Sequence, residues 1–419
     1  MFPTASLTAF LLLAVSVAAN PIVVRKPPVS LSFARHLNIT GSYDLVAKDQ
    51  ARAKNFMAIG KAKQSGTLSS AAVVSVGVTN VAVVYQATVG VGSPATNYNL
   101  LIDTGSSNTW VGAGTTYVTT STSVQTSDSV SVTYGSGSFS GTEFLDTVTI
   151  GSGLVIPGQS IGVASTSTGF TGFDGILGIG PTDLTVGTLS PNTGSSVPTV
   201  TDNLFSRGTI TSNLVSVSFE PTTTTSVKNG ELTFGGTDST KFTGALTFIP
   251  ITSTSPANLF WGINESIRYG ASTSILSTTA GIVDTGTTLI LIATDAFNRY
   301  TSATGAVLDA TTGLLRITSA QFSSLQSLFF TTGGRSFELT ANAQIWPRAL
   351  NTFIGGTSGN IYLVVNDIGT PTGQGLDFIN GYTFLERFYS VYDTSNHRVG
   401  LPLRHSPRRR AIDGDGWVR

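Results

Sequence analysis

Cysteine is absent from the 419 residues, which removes disulfide staples, thiolate nucleophiles and thiolate metal ligands together. Histidine is nearly absent: the three are His36, His397 and His405. His36 and His405 fall in terminal segments whose composition departs from that of the body. A Ser-His-Asp hydrolase or a multi-histidine zinc site would therefore rest on His397 in "DTSNHRVG", which reads more simply as a surface turn. An apolar stretch long enough to cross a membrane is also missing. Charge is scarce at 11% and unevenly placed. Residues 20–64 carry eight basic and two acidic side chains, whereas residues 65–403 carry ten basic and nineteen acidic ones. The body is thus about minus nine, which argues against a nucleic-acid partner, since phosphate recognition depends on Lys and Arg clusters.

What remains is a chain with 40% hydrophobic residues, enough to bury a large core in two lobes. The opening "MFPTASLTAFLLLAVSVAAN" has an apolar run from Leu7 to Val17 followed by small residues, the pattern of a secretory signal over 1–19. Secretion gives meaning to two glycosylation sequons, at Asn38 and Asn264. Residues 20–70 are basic, proline-bearing and partly helical in pattern, and end in the flexible "SGTLSSAAVVSV". This shift suggests a pro-segment, the mature chain starting near Ala71, with a charge of plus six opposing the acidic body. Lys61 and Lys63 are the candidates for its contact with the site below.

From Val73 onward short runs of period-two alternation are separated by Gly, Ser, Thr and Pro turns, so the architecture is mainly β. "VSVTYGSGSFSG" predicts a hairpin turning at Gly135-Ser136-Gly137. Short helices are predicted around Asp202–Arg207, Asp295–Tyr300 and Gln321–Leu328. The lobes are placed at 71–250 and 251–403, with a polar, disordered tail over 404–419.

The most informative feature is a repeat. "LLIDTGSS" and "GIVDTGTT" share two apolar residues, Asp-Thr-Gly and two hydroxyl residues, with Asp103 and Asp284 181 residues apart. One Asp-Thr-Gly is an ordinary turn. Two copies, each ending a β-run and one lobe apart, suggest related lobes that bring the acids together across an approximate two-fold axis. Two such carboxyls cannot both ionise cheaply, so the pair holds one proton over an acidic window. The ionised member can take a proton from a water between them while the other donates to a carbonyl oxygen, with no metal or organic cofactor required. Gly105 and Gly286 let the backbone approach and offer N–H donors, and the Ser106 and Thr287 hydroxyls can donate to the outer oxygens.

Together with "VTYGSGSFSG", "FDGILGIG" (Phe173–Gly180) and "FLERFYSVYDTSNHRVGL" (Phe384–Leu401), these triplets make the chain from Val84 to Leu401 resemble the pepsin-like aspartic proteases. The resemblance implies a bilobal β-fold with a substrate cleft, a flap hairpin, an inhibitory pro-segment and peptide-bond hydrolysis at acid pH; two lobes in one chain remove the need for a dimer to build the site, so a monomer is expected. It also implies that Thr104 and Thr285 cross-link the two loops, that Tyr134 is the flap tyrosine and Trp110 its hydrogen-bond partner, and that Gly135, Ser136 and Thr288 meet substrate backbone. Leu101 and Ile176 would line a pocket for bulky apolar side chains, or serve only as core. Without the resemblance Tyr134 is an ordinary cross-strand packing residue.

A pepsin-fold protein that only binds or inhibits would show a broken triplet or a lost flap tyrosine, and both are intact here. A glycosidase also uses two carboxyls but does not account for the paired triplets. The chain departs from the family's pattern in "FINGY", where Asn380 takes a normally apolar position, and in the arginine-rich tail, expected to be either a misassigned gene end or a disordered segment removed by processing.

Overall fold

The computed structural model of the protein describes residues 28–39, 45–66, 81–151 and 153–405. The signal-like run, the Ala71 region and the tail after His405 lie outside the described residues. In chain order the elements that build the site are β1 (Val29–Ile39), α1 (Leu45–Gln64), β2 (Val81–Val91), β3 (Thr96–Asp103), β4 (Thr109–Val111), β5 (Val124–Thr133), β6 (Ser138–Thr149) and β7 (Gly175–Gly178). The second half contributes β8 (Gly262–Tyr269), β9 (Thr273–Val283), β10 (Ile290–Ile292) and β11 (Phe378–Asn380).

Among the described residues the strands form sheets of fourteen, seven and three strands. β1 to β7 belong to the large sheet and β8 to β11 to the seven-stranded one. The repeat seen in sequence is a repeat in topology. In the first half β7 runs parallel to β3, with Ile102 opposite Leu177, and antiparallel to β4, with Thr109 opposite the same Leu177. In the second half β11 runs parallel to β9, with Val283 opposite Asn380, and antiparallel to β10, with Ile290 opposite Asn380. Tyr98 and Leu100 alternate with exposed residues along β3, but Leu100 to Asp103 are all buried. A strand clamped beside a parallel neighbour is covered on both faces there. Each acid therefore leaves the sheet from inside the core.

Three short helices follow the sequence expectation with one difference. Val200–Ser206 starts from a reciprocal cap between Thr199 and Asp202, and Thr294–Thr304 ends at Gly305 with φ 66°. The third, Ser319–Ser324, is capped by Thr318 and Gln321 but stops short of Leu328, which begins a strand. The alternating burial of Leu328, Phe330 and Thr332 shows why: sheet packing takes those residues over local helix propensity. The last strand, Arg398–His405, pairs Arg404 with Thr243 and His405 with Phe242, so the sheet extends two residues into the expected tail.

The basic segment is folded against the body. β1 is inserted between β2 and the strand Ser226–Phe234. Its inward residue Phe33 packs edge-on to both Tyr85 and Phe219, at 5.4 Å each. Arg35 is buried on the same face, 3.6 Å from Glu386 Oε1, and Tyr85 Oη donates to that oxygen over 3.1 Å. Alanine, lysine and glutamine, all strong helix formers, then wind α1 into a helix about 30 Å long. Leu45, Asp49, Arg52, Phe56 and Gly60, three or four residues apart, are buried along one stripe of the helix, and Val46, Lys48, Ala51 and Ala53 beside that stripe are buried too. The stripe is unusual in carrying an acid and a base at its centre.

If β1 is part of the core of the full-length chain, Phe33→Ala costs about 3 kcal/mol by losing buried ring contacts. Urea unfolding of the full-length protein checks this, and an unchanged midpoint would show that β1 contributes no core packing.

Candidate active site

Asp103 and Asp284 are both fully buried and face each other across the two-fold arrangement. Each is held by the two residues that follow its triplet threonine. The Gly105 N–H donates to Asp103 Oδ1 over 3.0 Å and Ser106 Oγ to Oδ2 over 2.5 Å. In the second half the Gly286 N–H donates to Asp284 Oδ1 over 3.2 Å and Thr287 Oγ1 to Oδ2 over 2.5 Å. The glycines are required by space: a Cβ on Gly105 would lie 2.6 Å from Asp284 Oδ1, and one on Gly286 would lie 2.6 Å from Asp103 Oδ1. No other residue lets the loops come this close.

Below the acids the loops are tied by a symmetric set of hydrogen bonds. The Thr104 N–H donates to Thr285 Oγ1 over 2.9 Å, and the Thr285 N–H donates to Thr104 Oγ1 over 3.0 Å. The hydroxyls in turn donate onward, Thr285 to the Ile102 carbonyl and Thr104 to the Val283 carbonyl. Both N–H groups and both hydroxyls of this pair are thereby engaged inside the core, which makes the spacing of the two acids stiff.

The β5–β6 hairpin stands over the acids. The Tyr134 N–H donates to the Gly137 carbonyl to close the turn, and Gly135 takes φ 79°, the left-handed region suited to glycine. Tyr134 and Trp110 are both buried with ring centroids 6.5 Å apart, in a cluster with Leu101, Ile176, Phe139 and Phe170 that is separate from the main core. The expected hydrogen bond between Trp110 and Tyr134 is not made, since the Trp110 indole N–H and the Tyr134 hydroxyl are both buried without a partner among the described residues; burial pushes the Tyr134 hydroxyl far above its usual range, and Asp103 adds to this. Leu101 and Ile176 lie opposite each other on β3 and β7. Ser136 is half-buried at the hairpin tip.

The largest departure from the sequence reading is what fills the site. Arg52 of α1 donates from Nη2 to Asp103 Oδ1 over 2.5 Å and to Asp284 Oδ1 over 2.9 Å, and from Nε to Asp284 Oδ2 over 2.7 Å. One guanidinium bridges both acids. Its charge is held above its ordinary pKa by both carboxylates in spite of burial. Burial lifts Asp103, and with help from Asp284 it outweighs Arg52, so that carboxyl lies above its usual range. At Asp284 burial is outweighed by the charge and hydrogen bonds of Arg52, with Thr287 and Gly286 adding, so that carboxyl lies below.

Three residues away, Asp49 accepts the N–H groups of Thr288, over 3.1 Å, and Leu289, over 2.8 Å, from a buried position that lifts it to about 6. Asn55 Nδ2 donates to the Thr133 carbonyl of the hairpin, and a Cβ on Gly135 would lie 2.5 Å from the Ala51 carbonyl oxygen.

Lys61 and Lys63 are not at the acids. Lys61 is exposed, and Lys63 Nζ donates to the Asp183 carbonyl over 2.6 Å. They follow Arg52 by nine and eleven residues, which displaces them about 14–16 Å along a helix. The missed signal was the stripe: Asp49, Arg52, Phe56 and Gly60 fall on one helical face. Of the sequon asparagines, Asn264 is exposed on β8, its Oδ1 accepting from Thr252, while Asn38 lies on β1 opposite Ala82 within the sheet.

Comparison with known proteins agrees with this geometry. Residues 84–403 match the family model described as eukaryotic aspartyl protease. The chain is 71% identical over 327 residues to polyporopepsin of Irpex lacteus, covering 78% of this chain and 96% of that protein. It is 31% identical over 337 residues to pepsin A of Sus scrofa, covering 76% and 80%. The crystal structure of the aspartic proteinase from Irpex lacteus superposes with a TM-score of 0.77 at 70% identity, covering 79% of this chain and 96% of that one. With two linked Asp-Thr-Gly loops under a hairpin and a family match over most of its length, the chain belongs to the eukaryotic aspartyl proteases, pepsin-fold endopeptidases that hydrolyse peptide bonds at acid pH.

Proposed function

We propose that Asp103 and Asp284 are the catalytic pair of a secreted endopeptidase and that residues 20–70 hold it as an inactive precursor. The observation that carries this is the Arg52 guanidinium, bonded to both acids from a helix that precedes the family-matched residues. A cleft so filled cannot take a peptide. The Nη2 atom, within 2.9 Å of one inner oxygen of each acid, marks the place a water would hold once the helix leaves.

That water, between one ionised and one protonated carboxyl, is activated by loss of a proton to the first, while the second donates to the carbonyl oxygen of the bond to be cut. The N–H and hydroxyl donors from Gly105, Ser106, Gly286 and Thr287 fix both carboxyl planes and cost no reorganisation during the step. Tyr134, Gly135 and Ser136 close over a substrate and exclude water, and the Thr288 N–H, now occupied by Asp49, is free to meet substrate backbone. The Leu101, Ile176 and Phe139 cluster favours a bulky apolar side chain beside the cut bond. The apolar run at 7–17 directs the chain outside the cell.

The charge pattern gives release a direction. Arg52 draws both acids toward their ionised forms, so this part of the docking strength is present above their pKa values in the empty cleft and fades as pH falls through the docked values. Asp49 runs the opposite way. Its docked pKa is raised to about 6, so its share is full in acid and is lost as pH rises through 6. Acid release therefore comes from protonation of the pair facing Arg52.

Two measurements test the proposal. Asp103→Asn or Asp284→Asn should lower haemoglobin hydrolysis at acid pH by about 10³-fold or more, and the wild-type activity should be blocked by pepstatin; a pepstatin-insensitive activity sinks the catalytic assignment. Arg52→Ala should speed self-conversion of the full-length chain at pH 5 by about tenfold or more, the worth of a lost buried charged hydrogen bond, while Lys63→Ala converts like wild type. Equal conversion of Arg52→Ala and wild type, followed by N-terminal sequencing, refutes the inhibitory role of α1.

A further inference from the structure

A second buried carboxyl lies directly behind Asp284, and nothing in the peptide-cutting step uses it. Glu265 on β8 has no exposed surface, and among the described residues no cation pairs with it. Its hydrogen-bond partner is Asn380, also fully buried, whose Nδ2 lies 3.2 Å from Oε1 and 3.3 Å from Oε2. The Asn380 amide oxygen meets no donor among the described residues. Asn380 in turn is part of the support of the site: its carbonyl accepts the Asp284 N–H over 3.1 Å, and it pairs with Val283 and Ile290, the strands on either side of that acid.

The two-fold repeat shows that the fold does not need these polar groups. The first-half counterpart of Asn380 is Leu177, which pairs with Ile102 and Thr109 as Asn380 pairs with Val283 and Ile290. The counterpart of Glu265 is Val89, which faces Tyr98, five residues before Asp103, as Glu265 faces Thr279, five before Asp284. Leu177 and Val89 are buried and apolar. An acid and an amide have replaced a leucine and a valine on one side only.

We propose that Glu265 and Asn380 form a neutral acid–amide pair that supports the strand behind Asp284, and that loss of the Glu265 proton sets the upper pH limit of the folded enzyme. Protonated Glu265 still accepts from Nδ2, keeps a charge out of the core and adds an O–H donor beside an amide whose own oxygen has no donor. Ionised Glu265 leaves that oxygen unpaired and a charge in the core, a costly arrangement.

Among the described residues no neighbouring charge relieves it. Asp377 is reached through Thr279, whose hydroxyl donates to it, and Asp284 lies beyond Asn380; both are acids. Arg268 of β8 stacks over Phe329, Arg299 pairs with Asp295, and Glu338 accepts from Ser327. Burial accordingly lifts Glu265 to about 8, with Asn380 only partly opposing. A folded-state pKa above the ordinary 4.5 means stability that is full below 4.5 and lost as pH rises through 8. Glu265 is a positioning residue, separate from the pair that cuts the peptide bond.

The test compares Glu265→Gln with Glu265 in the full-length chain carrying Asp103→Asn, which prevents self-digestion. Urea titrations between pH 4.5 and 8 should show the unfolding constant of the Glu265 chain rising with pH by up to about tenfold per unit more than that of Glu265→Gln. A Glu265→Leu/Asn380→Leu chain, apolar like Leu177 and Val89, should lose the same slope and guards against a Gln variant that fails to fold. In the active enzyme, recovery of haemoglobin hydrolysis at pH 4 after an hour at pH 7.5 should be greater for Glu265→Gln than for wild type, each relative to its own value before incubation. A purely structural role shifts stability equally at every pH. Parallel pH slopes in all three chains, or equal recovery, overturn the proposal.

Discussion

Everything at the centre of this protein follows from the difficulty of holding two carboxyls together in a place that water does not reach. Asp103 and Asp284 are delivered there by parallel-paired strands that leave the sheet from within, and the Thr104–Thr285 exchange fixes their spacing. The repulsion that results needs either a cation or a proton. Arg52 is the cation, and its three hydrogen bonds leave both acids bridged. When the cation is gone a proton must take its place, so the chemistry that blocks the site and the chemistry that opens it are the same balance read at two pH values.

That balance explains why a helix with charged residues on its buried face is stable at all. Asp49 and Arg52 would be misplaced in an ordinary amphipathic stripe. Here Arg52 meets two acids, and Asp49 meets two backbone N–H groups beside the charge of Lys48, so these two buried charges find complements. The fit belongs to the cleft and cannot be recovered from the helix alone.

Sequence reading reached the two acids because a repeat carries information that a single triplet does not: "LLIDTGSS" and "GIVDTGTT" mark the same topological position twice. It placed the hairpin and the mainly β architecture for a different reason, since alternation and glycine turns are local. It failed where the answer depends on how a helix is rotated and where its ends dock. The pro-segment offers eight basic residues, Lys61 and Lys63 among them; the cleft selects by distance along the helix axis, and that requires knowing where α1 lies. The third predicted helix overran into Leu328 because sheet pairing, a long-range effect, decides that boundary. Glu265 had a local signal, sitting between Ile263 and Ile267 at the inward phase of an alternating strand, and its partner was flagged only as an apolar position that had become Asn380.

The two halves of the molecule are therefore alike in path and unlike in charge. On the Asp103 side the layer behind the acid is Val89 and Leu177, apolar and indifferent to pH. On the Asp284 side it is Glu265 and Asn380, which are at ease only with a proton between them. A core can carry such a group without loss when the surroundings keep it neutral, and acid surroundings do. The enzyme's own working medium supplies that proton, so a polar pair that would be a defect in a neutral compartment is compatible with the fold where peptide hydrolysis by a half-protonated pair is also possible. Acidity is then a condition of the Asp284 half's architecture as well as of its chemistry.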